Sequence, residues 1–133
     1  MRRILIMGLF AVSSCSSGTD IAAVTKAIGA FHSELNAGNF EQIYADSAPD
    51  WKQASPKADT VQLFTSIHNK LGDFLSAKQT GWHMNYGTGG TMVTIVDDSK
   101  FQKAEGVETF TYRVSGSTAQ LVGYNINSRA LLS

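Results

Sequence analysis

KQTGWHMNYGTGGTMVTIV, residues 78–96, decides the architecture. Lys78, Thr80, Trp82, Met84 and Tyr86 alternate with Gln79, Gly81, His83 and Asn85, which predicts a strand with its large side chains on one face. Gly87-Thr88-Gly89-Gly90 then breaks the run with residues that tolerate positive φ, and residues 91–96 return as a second strand. A link this short joins antiparallel neighbours, because a parallel pair needs a crossover of a dozen or more residues. Residues 107–114 and 118–127 repeat the pattern across Ser115-Gly116-Ser117, so the C-terminal half reads as four hairpin-linked strands.

Upstream, the period changes from two to about 3.6. Ile21, Val24, Ile28, Phe31 and Leu35 make one helical stripe that ends near Asn36-Ala37-Gly38. Asn39 and Gln42 have the spacing of a capping box for a second helix, and Pro49 and Trp51 mark a break. Ser55-Pro56 restarts the chain ahead of a clear stripe of Val61, Phe64, Ile67, Leu71 and Phe74. Helices followed by hairpin-linked strands define an α+β class, here three N-terminal helices packed on a curved four-stranded antiparallel sheet. Phe31, Phe64, Trp82 and Phe110 are its expected core. With 133 residues there is room for one sizeable core only.

The first residues read as an address. Arg2 and Arg3 precede an apolar run at 4–12 that is too short to span a bilayer as a helix. Val12-Ser13-Ser14-Cys15 resembles the bacterial lipobox, whose cysteine becomes the acylated first residue after cleavage. Cys15 is the one cysteine of the chain, so no intramolecular disulfide can form. The expected organisation is a lipoprotein signal peptide at 1–14, a lipidated Cys15 with a short tether at 15–19, and a single domain at 20–133. Ser16 after the cysteine resembles outer-membrane sorting in Gram-negative bacteria, which implies a lipid-anchored protein facing the periplasm. Without Arg2 and Arg3, nine basic residues stand against eleven acidic ones, which removes the electrostatic case for a nucleic-acid partner.

Leu71-Gly72, Gln79-Thr80-Gly81-Trp82, Ala104-Glu105-Gly106-Val107-Glu108-Thr109-Phe110 and Leu121-Val122-Gly123-Tyr124-Asn125-Ile126 resemble a family of bacterial exported proteins. The number and order of elements resemble its wider superfamily, the nuclear-transport-factor-2-like or cystatin-like proteins. That resemblance implies a curved sheet enclosing a cone-shaped space, and a homodimer through the exposed sheet face. It implies no particular activity.

Chemistry-bearing residues are scattered. Glu108 shares strand parity with Phe110, Tyr112 and Val114, so an inward Glu108 would be a buried carboxylate in need of a partner. The expectation is that it instead lies at a strand edge, rotated to solvent by a bulge or a frayed strand start. Glu108 and His83 are therefore the acid-base candidates of a secondary reading, a small pocket enzyme. His32 and His68 sit beside their helical stripes, and no metal-ligand spacing occurs. Trp82, Tyr86, Tyr112 and Tyr124 are candidates to line an apolar ligand site. The leading expectation is a non-enzymatic envelope lipoprotein that uses no cofactor or metal and binds the lipid bilayer through acylated Cys15. Its other partner would be an envelope protein or a small apolar ligand.

Overall fold

A computed structural model describes residues 16–132; Cys15 and the segment read as a signal peptide lie outside the described residues. Four helices come first: α1 (Ser16–Ala37), α2 (Phe40–Asp46), α3 (Pro49–Ala54) and α4 (Lys57–Leu71). Four strands follow, β1 (Phe74–Gly87), β2 (Gly90–Phe101), β3 (Glu105–Ser115) and β4 (Thr118–Asn127), and then a 3-10 turn, Arg129–Leu132. The residues whose composition reads as a tether form the first turn of α1.

Helix α1 closes where the sequence predicts. Gly38 adopts φ 77°, its N–H bonds to the Leu35 carbonyl, and the Asn39 N–H reaches back to the Glu34 carbonyl, the Schellman arrangement. The capping box at Asn39 does not form. Its side chain caps nothing, and Gln42 donates instead to Asp46 at 2.8 Å. Ser47 and Ala48 separate α2 from α3, which Pro49 begins, because proline at the first helical position gives up an N–H that would be unbonded anyway. The three expected helices are thus four.

The strands make one antiparallel sheet in the order β1-β2-β3-β4, as hairpin links require. Gly90 is needed at the first hairpin: it sits at φ 120°, and a Cβ there would lie 2.6 Å from the Val114 carbonyl oxygen. The sheet is flat and open, which corrects the curved, cone-enclosing sheet of the nuclear-transport-factor-2-like or cystatin-like proteins. The physical reason lies between the layers. Phe31 from α1 meets Phe64, Phe110 and Tyr124 at ring-centroid distances of 5.4, 5.2 and 5.0 Å, so aromatic rings fill the space a cone would enclose.

The core runs along the helix-facing sides of β2 and β3, where Val93, Ile95, Phe110, Tyr112 and Val114 are buried against Val24, Ile28, Leu35, Phe64, Ile67 and Leu71. Trp51 closes one end, stacked on Phe64 with its indole N–H donated to Thr60 Oγ1 at 2.9 Å. The expected core position of Trp82 is wrong. Strand β1 overhangs the helices, leaving Trp82 57% and Tyr86 66% exposed on the face that β2 and β3 bury.

Candidate functional site

Glu108 is the fourth residue of β3, well inside the strand, and the only register shift between β3 and β4 falls at Thr111/Tyr112. No bulge turns it outward, so the alternation carries Glu108 to the helix side with Phe110, where it is fully buried. The expected edge position is corrected accordingly.

Three neighbours meet the carboxylate. His32 Nε2 lies 2.8 Å from Oε1, the Ser99 hydroxyl donates to Oε1 at 2.6 Å, and the Tyr124 hydroxyl donates to Oε2 at 2.6 Å. Each comes from a different element: His32 from α1, Ser99 from β2 and Tyr124 from β4. A carboxylate only accepts, so Nε2 carries the proton between the two groups; in the neutral form of the ring Nδ1 is then the basic nitrogen. Nδ1 makes no hydrogen bond among the described residues, and no buried side-chain nitrogen or oxygen there lacks a partner. Nδ1 therefore keeps contact with solvent, although the residue as a whole is 5% exposed.

The imidazole is held from several sides. Its ring stacks on Phe74 at 3.5 Å with an interplanar angle of 1°, and Phe31 and Phe110 meet it edge-on. Phe74 is itself fixed by Asn36, one helical turn beyond His32. The Asn36 side chain accepts from the Phe74 N–H at 2.7 Å and donates to the Phe74 carbonyl at 3.1 Å. Residues 32 and 36 of α1 thus fix both the ring and the strand start it stacks on.

A second carboxyl stands beside the first. Asp97 of β2 is directly opposite Glu108 in the ladder and is 7% exposed. Burial raises its carboxyl above the usual range, the Glu108 charge raises it further, and His32 acts in the opposite direction. Burial, then the Glu108 charge, likewise push the Tyr124 phenol far up, so it remains a hydrogen-bond donor.

This constellation overturns the expectation of a domain without catalytic machinery: a buried His–Glu pair braced by Ser99 and Tyr124 has the makings of an acid-base site. Of the residues singled out from sequence, Glu108 and Tyr124 belong to it. His83 does not, being exposed on the outer face of β1 opposite Thr94. Tyr112 is buried farther along β3, and Trp82 and Tyr86 are exposed. His32 was missed because Phe31 marks the stripe; its one signal is the spacing Ile28, His32, Asn36, a second line of residues four apart. Among the described residues no three His, Cys, Asp or Glu side chains converge as metal ligands, and no helix is long and apolar enough to cross a membrane. No protein-family model and no curated protein matches the chain.

Proposed function

We propose that the His32–Glu108 pair is the acid-base centre of a small enzyme. His32 Nδ1 acts as general base toward a proton of a bound substrate or water, and Glu108 holds the ring in the tautomer that exposes it. The observation that carries this reading is the 2.8 Å contact between His32 Nε2 and a fully buried carboxylate that two further hydroxyls pin in place. As Nδ1 takes a proton the ring becomes an imidazolium, and the adjacent Glu108 carboxylate stabilises that charge in surroundings that exclude most water. Asp97, opposite Glu108 in the ladder with its carboxyl raised by burial, is the second acid-base group of this reading.

The test is turnover of a simple probe, such as a p-nitrophenyl ester, by the unsubstituted protein, His32→Gln and Glu108→Gln, each shown to be folded by circular dichroism. Removal of a general base costs about 10²–10⁴-fold in rate. Equal turnover by all three proteins would refute the assignment.

The N-terminal sequence supports a location for this chemistry. We propose that Cys15 is acylated and tethers the domain to the bacterial envelope, at the outer membrane and facing the periplasm. Acyl chains contribute about 0.8 kcal/mol per buried methylene, so more than one makes attachment durable.

A further inference from the structure

A second site lies along α1, away from the His32–Glu108 pair. Ala27 and Ala30 are too small to fill the space between α1, the end of α2 and the β3–β4 hairpin, and a cavity of about 450 Å³ remains over Phe31 and Leu121. That volume falls within the range of about 300–1,000 Å³ typical of small-molecule sites.

Glu34 and Asp46 both line the cavity, near enough for the Asp46 charge to act on the Glu34 carboxyl. Two carboxyl groups placed side by side resist ionising together, because that sets like charges against each other. Burial, followed by the charge and hydrogen bond of Asp46, lifts the Glu34 carboxyl to about 7. Tyr112 also lines the cavity and is 3% exposed; its hydroxyl makes no hydrogen bond among the described residues, where no buried polar side-chain atom lacks a partner, so the hydroxyl opens to the cavity. That open hydroxyl, at the tip of an otherwise buried side chain, is the independent sign that a bound group can meet it. The cation of the lining, Lys26, is eight residues back along α1, about 12 Å at the helical rise.

We propose that this cavity binds a small organic ammonium ion with an apolar body, its N–H groups taken by Glu34, Asp46 and the Tyr112 hydroxyl oxygen and its body lying over Phe31 and Leu121. An ammonium group has three donors for these three acceptors and brings a positive charge to the two carboxyls. An anion would meet the carboxyl pair head-on. A neutral apolar molecule would leave all three polar groups unanswered.

Hexylammonium chloride is the probe, titrated calorimetrically against the folded soluble domain, with sodium hexanoate and hexanol as comparisons. The titratable groups facing the cavity are Lys26, Glu34, Asp46 and Tyr112. The Glu34 carboxyl is raised to about 7, so the ammonium should bind about tenfold more tightly at pH 8 than at pH 6, where a proton on Glu34 must be displaced. Glu34→Gln should weaken binding at pH 8 at least tenfold and abolish the pH dependence. Tyr112→Phe, which keeps the ring and its packing, should weaken it several-fold and decides the matter should Glu34→Gln fail to fold. Absence of saturable hexylammonium binding, tighter binding of hexanoate or hexanol, or an affinity unchanged in these variants would overturn the proposal.

Discussion

Glu108→Gln keeps the volume at the centre of the polar cluster but replaces one acceptor oxygen with a donor. If the amide oxygen stays with His32 and Ser99, its NH₂ confronts the Tyr124 hydroxyl, which must rotate to accept and so loses its own acceptor. His32 meanwhile loses its carboxylate. A hydrogen bond to a charged group contributes about 1.5–3 kcal/mol, and breaking a buried pair by removing one partner costs about 3–5 kcal/mol. Relief of the desolvation cost of a fully buried carboxylate offsets part of this, so the expected net loss is about 3 kcal/mol. For a domain of this size that lowers the melting midpoint by about 10 °C. Differential scanning calorimetry at pH 7 reads it, with Glu105→Gln, at an exposed position of the same strand, as the comparison expected to stay within about 0.5 kcal/mol. A double-mutant cycle with His32→Gln should return a coupling of at least about 1 kcal/mol. A Glu108→Gln protein as stable as the unsubstituted one, or zero coupling, would refute the claim that this cluster is one interdependent unit.

Phe64→Ala removes a fully buried ring that touches Phe31, Trp51 and Tyr124, and should cost about 3–5 kcal/mol in urea unfolding. Trp82→Ser, on the overhanging strand, should change stability by less than about 0.5 kcal/mol by the same measurement. Because the folded Glu34 carboxyl holds its proton up to about 7 against 4.5 in the unfolded chain, the native state binds more protons across that interval. Stability from this group should therefore fall as pH rises from 4.5 to 7, by about 1–2 kcal/mol after allowance for solvent screening, and Glu34→Gln should remove that part of the urea-midpoint profile. Cys15→Ala expressed with the native leader should abolish acylation by mass spectrometry and shift the protein from the membrane to the soluble fraction.

Alternation along the strands was enough to order the sheet, because hairpin-sized links leave only one antiparallel meander. Curvature was not legible in the same way. Whether a sheet curls depends on what fills the space beneath it, and here that is set by how Phe31, Phe64, Phe110 and Tyr124 interlock across three elements. Trp82 fails for a related reason: parity assigns a face to a side chain but does not say whether a helix lies over it.

The site was half legible. Parity carries Glu108 inward with Phe110, and only the added expectation of a bulge turned it out; the irregularity in β3–β4 falls at Thr111/Tyr112 instead. His32 could not be paired with Glu108 from the sequence, since 76 positions separate them and nothing local at either end names the other. The capping failure at Asn39 is similar, since the box spacing is present but Gln42 has a nearer partner in Asp46.

The placement of Asp97 beside Glu108 bears most directly on function. Like charges directly opposite in a ladder destabilise it, and replacing a buried ionic group by apolar residues of similar volume is often neutral or stabilising. A few residues along the same two strands, Ile95 faces Phe110 and Val93 faces Tyr112, the arrangement that packing alone would favour. At 97 and 108 the chain instead buries two carboxyls opposite each other, with His32, Ser99 and Tyr124 bonded to Glu108 alone. The two carboxyls thus differ: one is pinned by donors, while burial raises its neighbour, and the proposed acid-base function would use that difference. Packing stability gives no reason for that arrangement, whereas the proposed proton transfer at His32 would.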